Sequence, residues 1–249
     1  MAIFIDEIKK NPIPQHIAVI MDGNGRWAKA RNKERLEGHQ KGAMALRETL
    51  EGAILLGVKY ITVYAFSIEN WQRSPEEVQG LMALFVQSCS TELPTLQKHN
   101  IRFKVIGNLN MLDEACRQAI NAVERQTKNN TALTLQVAIS YGSRQEILHA
   151  AKSIAIAVQK NKINIADIDE NVFASYLYTN DIPDPDLLIR TSGEYRISNY
   201  LLWQIAYSEL YFTDIFWPDF TKEELFKAVA NYQQRERRYG KTTEQLNRQ

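Results

Sequence analysis

Apolar residues along the chain follow two rhythms. Short stretches rich in Val, Ile, Tyr and Phe are apolar at most positions: HIAVIM at 16–21, YITVYAF at 60–66, IRFKVI at 101–106, LTLQVAI at 133–139, DLLIR at 186–190 and DIFW at 214–217. Between them, apolar positions recur at helical spacing. The first rhythm predicts strands covered on both faces, and the second predicts the helices that cover them. The expected fold is α/β: a single domain with a mainly parallel six-stranded sheet flanked by helices on both faces. No repeat, low-complexity tract or linker divides it. The domain is expected over 16–240, after a flexible N-terminal segment at 1–15 and before a C-terminal tail at 241–249.

Helix boundaries carry their own signals. In SPEEVQGLMALF, Ser74 reads as an N-cap, Pro75 takes the first helical position and Glu77 completes a capping box. Val78, Leu81, Met82, Phe85 and Cys89 then share one face, and Pro94 is expected to end or kink the run. Thr221 and Glu224 repeat the capping-box pattern ahead of Leu225, Val229 and Tyr232. Residues 165–186 read as a short helix and a proline-punctuated loop into the fifth strand.

Composition narrows the classes. With 249 residues, 45% hydrophobic and 24% charged, the chain suits a globular protein that buries a substantial core. A net charge of +1 argues against a nucleic-acid binder with an overall basic surface, so any anion site must be local. Cys89 and Cys116 lack metal-ligand spacing and read as buried thiols in a reducing compartment. The N-terminus mixes acids with apolar residues, unlike a signal peptide, and no apolar run nears the roughly 18 residues of a spanning helix. A cytoplasmic protein is expected. Ile3, Phe4, Ile5 and Ile8 fit either a frayed terminus or a contact with a membrane surface.

The unusual polar residues gather where the predicted strands end. Strand one runs into Asp22, Gly23, Asn24, Gly25, Arg26 and Trp27; strand two into Ser67, Ile68, Glu69, Asn70, Trp71, Gln72 and Arg73. Strand four leads to Ser140–Arg144, and strand five to Arg190, Thr191, Ser192, Gly193, Glu194, Tyr195, Arg196, Ile197 and Ser198. In an open parallel sheet these ends share one rim, where ligands bind. Glycines let backbone N–H groups approach oxyanions, and arginine forks grip two phosphate oxygens at once. Arg26, Arg73, Arg190 and Arg196 exceed what one phosphate needs, which points to one diphosphate or two. Arg35 and His39 share a face if helical, although Gly38 can break that helix.

Each feature alone has an ordinary explanation. Asp-Gly and Asn-Gly form turns, strand-end arginines solvate surfaces, His39 alone is a structural histidine, and an apolar stripe packs a core. Convergence of several such loops on one edge carries the argument. The stripe through Leu81, Leu84 and Phe85 begins just past Arg73, so a diphosphate head with a hydrocarbon tail suits the pair. Nucleotides are the alternative, although neither G-x-G-x-x-G nor a P-loop is present.

HIAVIMDGNGRWAK, RLEGHQKG, YAFSIENWQR, DLLIRTSGEYRISNYLLWQIAYSELYF and RERRYG, in this order from about Gln15 to Gly240, together resemble the cis-prenyltransferases. The resemblance implies an α/β fold with an apolar tunnel and a transferase that extends farnesyl diphosphate with isopentenyl diphosphate, each new double bond Z. The implied product is undecaprenyl diphosphate, the lipid carrier precursor for bacterial cell-wall polysaccharide. It further implies Mg²⁺, a homodimer with YLLWQIAYSELYF and the basic tail at the interface, and transient membrane contact for product release. Asp22 would bind the metal and help the allylic diphosphate depart, and Glu209 matches a second metal-associated acid. Gly23, Asn24, Gly25, Arg26, Arg35 and His39 would hold the allylic diphosphate, with Trp27 flanking. Ser67, Ile68, Glu69, Trp71 and Arg73 would position substrates, and Asn70 would sit where the proton is lost, orienting its acceptor. Arg190, Arg196, Ile197 and Ser198 would bind isopentenyl diphosphate, and Leu81, Leu84, Phe85 and Leu133 would line the tunnel.

Ile68, Ser192 and Tyr195 depart from the usual family pattern and touch only fine substrate positioning. The chain has no Asp-Asp pair, so the D-D-x-x-D chemistry of trans-specific prenyl synthases is excluded. Two alternatives stay open on sequence alone: a non-catalytic binding subunit, and a phosphatase or nucleotide-using enzyme built on Asp22.

Overall fold

The computed structural model of the chain describes residues 2–240, 242 and 245, the first three of these by backbone alone. Residues Ala2–Lys9, placed by the sequence in a flexible segment, form helix α1 with Ile8 buried. Gln233 holds its end by donating to the Ile8 carbonyl at 2.9 Å. The side chains of Ile3 and Phe4 lie outside the described set, as does the 241–249 tail apart from 242 and 245.

The chain then alternates: β1 (His16–Ile20), α2 (Asn24–Lys29), α3 (Arg35–Leu56), β2 (Tyr60–Ser67), α4 (Pro75–Lys98), β3 (Ile101–Ile106), α5 (Glu114–Thr127) and β4 (Leu133–Tyr141). It continues through α6 (Ser143–Gln159), α7 (Glu170–Ala174), β5 (Leu187–Arg190), β6 (Glu209–Phe212) and α8 (Lys222–Gln233). The six strands make one wholly parallel sheet in the order β3-β4-β2-β1-β5-β6.

Strand alternation divides the core. Ile17, Val19, Leu187 and Ile189 point to one face and join the large cluster with Ala53, Leu56, Leu225, Phe226 and Val229 of α3 and α8. Ala18, Ile20 and Leu188 point to the other and meet Tyr200 and Leu201. Burial on both faces is why these strands read as continuous apolar runs. A buried polar chain crosses beneath them: His16 Nε2 lies 2.7 Å from Thr62 Oγ1, which donates to Gln136 Oε1 at 3.3 Å. His16 Nδ1 meets the Pro183 carbonyl at 2.6 Å.

Three local expectations change. The last strand is Glu209–Phe212, not 214–217, because ELYF pairs in register with all four residues of β5. Phe216 and Trp217 instead lead into a tight turn over Trp217–Asp219 whose indole N–H donates to the Gly42 carbonyl at 2.9 Å. Helix α4 runs through Pro94 to Lys98. Ser74 does cap α4 through the Glu77 N–H, but the Glu77 side chain turns to two arginines, and Thr221 makes no side-chain cap on α8. Among the described residues no helix is long and apolar enough to cross a membrane.

Candidate active site

After β1 the chain builds outward through β2, then returns to the far side of β1 with β5. Such a reversal opens a crevice at the carboxyl ends of the strands. Ile20 pairs with Arg190, so Asp22 and Arg190 emerge together. Arg190 Nη2 donates to Asp22 Oδ2 at 2.9 Å, and Arg26 Nη2 lies 3.2 Å from Oδ1. The Gly23 N–H adds a 2.7 Å bond to Oδ1. Thr191 clamps the same residue's backbone, accepting from its N–H at 2.9 Å and donating to its carbonyl at 2.7 Å. Burial pushes the Asp22 carboxyl up, yet the Arg190 hydrogen bond and the charges of Arg190 and Arg26 outweigh it and hold the group below the usual carboxylate range. Asp22 is an anion at neutral pH.

The glycine-rich loop after it is shaped by contact. Gly23 has φ of 103°, and a Cβ there would stand 2.8 Å from Phe216 Cδ1. Gly38 lies where α3 crosses the loop; a Cβ at that position would come within 2.1 Å of the Asn24 carbonyl oxygen. Gly38 therefore does not break α3 but lets it approach, bringing Arg35 and His39 into the crevice.

Carboxylates hold the arginines ready. Glu194 takes Arg26 at 2.7 Å and also pairs with Arg196. Glu77 takes Arg73 at 2.8 Å and Arg35 at 3.1 Å. Arg190, 4% exposed, donates to Ser198 Oγ at 2.9 Å and to the Arg196 carbonyl. His39 is held neutral, its pKa lowered to about 4 by burial and by the charges of Arg73 and Arg35. Buried polar atoms rarely go without partners, yet Asn24 Oδ1, His39 Nε2, Arg190 Nε and Ser192 Oγ have none among the described residues. Of these residues Asn24, His39 and Arg190 line the cavity at this edge.

On the β2 side, a single turn over Ile68–Gln72 presents Asn70. The Ser67 N–H donates to Asn70 Oδ1 at 3.1 Å, which fixes the orientation of the amide. Glu69 accepts from Asn199 Nδ2 at 2.9 Å.

Below this crown lies a cavity of about 950 Å³ between α3, α4 and the sheet. Asp22, Gly23, Asn24, Gly25, Arg26, Arg35, His39, Ser67, Glu69, Asn70, Arg73, Arg190, Arg196 and Ser198 ring its mouth. Away from the crown its lining is mostly apolar, with Leu46, Leu50, Leu81, Leu84, Phe85, Leu96, Ile101, Phe103 and Val137, joined by Arg47, Glu51, Glu92 and His99.

Six expected site residues stand elsewhere. Trp27 is buried and donates to Asp219 Oδ1 at 2.7 Å, bracing α2 from behind. Ile68 turns toward Gly142. Trp71 donates to Ser140 Oγ at 3.0 Å and meets Phe66 edge to face, facing away from the crown. Ile197 joins the cluster around Ile20 and Tyr200. Leu133 is 1% exposed in the core, one layer behind the cavity wall, which on β4 begins at Leu135. Glu209 opens β6, in register with Leu187 at the opposite end of the sheet, and pairs with Arg235 at 2.9 Å. Conversely, Glu77, Thr191, Glu194 and Asn199 serve the site without a local pattern that assigns them a role there.

The chain is similar to known proteins. Residues 20–240 match the prenyltransferase family model described as "Putative undecaprenyl diphosphate synthase". A ditrans,polycis-undecaprenyl-diphosphate synthase of Haemophilus influenzae, described as specific for (2E,6E)-farnesyl diphosphate, is 49% identical over 236 residues, covering 95% of this chain and 99% of that protein. An isoprenyl transferase of Fusobacterium nucleatum is 54% identical over 233 residues, covering 94% and 98%. The crystal structure of lavandulyl diphosphate synthase from Lavandula x intermedia, in complex with dimethylallyl diphosphate, aligns with a TM-score of 0.90 at 37% identity over 95% of this chain and all of that one. With this fold, this crown and these relatives, the chain belongs to the undecaprenyl diphosphate synthase family of prenyltransferases and is a transferase.

Proposed function

We propose that the protein extends farnesyl diphosphate with successive isopentenyl diphosphate units, each with a Z double bond, to give undecaprenyl diphosphate. The observation that carries this reading is one Asp and five arginines crowning an apolar cavity of about 950 Å³. Water-soluble phosphate substrates need no such depth, and free lipids need no such crown.

The Asn24–Arg26 turn, Arg35 and His39 hold the allylic diphosphate, while Arg190, Arg196 and Ser198 hold isopentenyl diphosphate. In each cycle the allylic C1–O bond breaks and its electron pair leaves on diphosphate. Guanidiniums already in place stabilise that growing charge without rearranging solvent. The isopentenyl C4 alkene carbon bonds to C1, and a C2 proton departs. The alkene is a weak nucleophile, so alignment of the two substrates matters as much as activation. Asn70 is a neutral amide, too weakly basic to take a carbon-bound proton, so it orients the proton acceptor.

The donor set fits Mg²⁺ shared with substrate. Among the described residues no group of three or more acids, His or Cys stands together. Asp22 supplies an ionised carboxylate at the mouth, and Mg²⁺ typically takes one or two carboxylates plus substrate phosphate oxygens. When bound, the ion neutralises charge on the leaving diphosphate. The reading also includes a cytoplasmic homodimer that contacts the membrane surface at product release. Exposed Tyr207, Leu210 and Tyr239 support an interface around β6, and light scattering tests it.

Purified protein with Mg²⁺, farnesyl diphosphate and radiolabelled isopentenyl diphosphate is expected to yield butanol-extractable label that co-migrates with an eleven-unit polyprenol standard after dephosphorylation. Folded protein that yields no extractable label overturns the reading.

A further inference from the structure

Three segments of the rim meet on one side chain. Asn199 follows Ser198 in the loop after β5, and its Nδ2 donates to Glu69 Oε1 of the Ile68–Gln72 turn at 2.9 Å and to Gln145 Oε1 of α6 at 3.1 Å. Its Oδ1 accepts from the Arg144 N–H at 2.9 Å, and its carbonyl accepts from the Ser143 N–H at 2.8 Å. A side-chain amide has two donor hydrogens and one acceptor oxygen, so every polar atom of this one is engaged. Asn199, Glu69, Asn70 and Ser198 all line the cavity.

The backbone there is fixed as closely. Ser198, Asn199 and Leu201 have φ of 48°, 60° and 46°, a left-handed region that residues other than glycine seldom enter. Such backbone persists only where its surroundings over-determine it. The start of α6 does so here: besides the bonds to Asn199, Ser143 Oγ accepts from the Leu202 N–H at 2.9 Å. Gly142 makes room for the junction, since a Cβ there would stand 2.7 Å from Asn199 Nδ2 and 3.0 Å from Ile68 Cγ2.

We propose that Asn199 is a positioning residue for the loss of the proton, setting the turn that carries Asn70 against the loop that carries Arg196 and Ser198. The inference rests on the reaction proposed above and adds a residue to it. In that reaction Arg190, Arg196 and Ser198 hold the diphosphate of isopentenyl diphosphate, while its proton leaves beside Asn70. Two segments from different strands thus hold the two ends of one small substrate. A shift between them misplaces the carbon that loses the proton, and misplacement by about 1 Å can cost on the order of 10²-fold in rate. The Asn199–Glu69 bond ties the two segments directly. The allylic half of the crown does not depend on that bond, because Glu194 and Glu77 hold Arg26 and Arg35.

Asn199→Asp tests the link by its polarity. One oxygen of the new carboxylate still accepts from Arg144, but the other faces the Glu69 carboxylate. With Glu69→Gln in the same chain, the new amide donates to that oxygen and the link closes with donor and acceptor exchanged. Steady-state kinetics are expected to show Asn199→Asp lowering kcat and raising KM for isopentenyl diphosphate by about tenfold, with KM for farnesyl diphosphate unchanged. Made in the Glu69→Gln background, the same substitution is expected to cost less than about threefold. Equal costs in the two backgrounds, or parallel rises in both KM values, overturn the proposal. Where Asn199→Asp does not fold, Glu69→Ala breaks the link from the other side and leaves the Arg144 and Ser143 bonds of Asn199 in place. KM for isopentenyl diphosphate is then expected to rise by about threefold or more, and an unchanged value overturns the proposal. Wild-type protein that adds no isopentenyl units sinks the reaction itself, a result read before any variant is compared.

Discussion

Arg190 donates to Asp22 across the junction of β5 and β1 at 2.9 Å, with the guanidinium 4% exposed and the carboxylate open to the cavity. The register Ile20↔Arg190 makes this pair a direct product of sheet topology. The interaction has two uses. It pins a buried cation that otherwise lacks a counter-charge, and it keeps Asp22 ionised and aimed at the mouth.

Asp22→Ala is therefore expected to lower kcat by roughly 10³-fold, in line with removal of a pre-set electrostatic group. Circular dichroism should stay native, because Thr191 still clamps the backbone at residue 22. Asp22→Asn keeps a hydrogen-bond acceptor for Arg190 but no charge, so a similar loss in that variant assigns the effect to charge. Near-normal turnover in either variant contradicts the role given to Asp22.

His39 makes a prediction about protons. Burial disfavours the imidazolium most, and the charges of Arg73 and Arg35 add to that, so the ring is neutral at pH 7. A diphosphate beside it reverses the local charge and raises its pKa toward the ordinary value. Binding of inorganic pyrophosphate should then draw a proton onto His39 between about pH 4 and 7, tightening as pH falls. Calorimetry in buffers of different ionisation enthalpy reads the uptake, and His39→Ala should remove the difference. Equal uptake in both proteins places the proton elsewhere.

Gly38→Ala tests the approach of α3 to the anion loop. The added methyl meets the Asn24 carbonyl at 2.1 Å, so α2 and α3 must separate. A loss of about 1–3 kcal/mol in stability is expected for such overpacking, with KM for the allylic diphosphate raised more than that for isopentenyl diphosphate. Equal changes in both KM values indicate a general loss of fold rather than a displaced loop.

Central strands were legible because a strand buried on both faces has nowhere to put polar residues. The edge was not. ELYFTDIFW holds two apolar runs, and β6 is only half-buried, so local pattern favoured 214–217 while pairing with β5 selected Glu209–Phe212. Asp22, Arg190, Arg196 and Asn70 could be found because strand ends declare which residues share a rim. The pairings of Glu77 and Glu194 could not, since a carboxylate's partner depends on which distant arginine the fold delivers. The SPEE pattern even drew Glu77 into a capping box, a local bond that two arginines outcompete. Depth was equally hidden. Leu133 and Leu135 point to the same side of β4, and only their height along the strand separates core from cavity wall.

Leu133 pairs in register with Ile101, which lines the cavity. Leu133→Ala should cost about 2–5 kcal/mol, as large-to-small changes at fully buried sites do. The void it leaves adjoins the wall at Ile101, so the product should lengthen by one unit or more. Destabilisation with unchanged product length confines Leu133 to the core.

Acid stability should track His16. The ring is buried among Pro183, Thr62 and the sheet, and burial lowers its pKa from 6.5 to about 4 despite the Pro183 hydrogen bond and the charge of Asp186. A histidine whose folded pKa is depressed binds fewer protons folded than unfolded. Its contribution is therefore complete above about pH 6.5 and is lost as pH falls toward 4. The gap corresponds to on the order of 3 kcal/mol. Urea unfolding between pH 7 and 4 should show a falling midpoint, with part of the slope absent in His16→Asn, which carries no titrating ring. Because His39 has the same depressed pKa but sits in the crown, saturating pyrophosphate should flatten its share of the slope and leave the His16 share intact. A slope that persists in full in His16→Asn assigns the acid sensitivity to other groups.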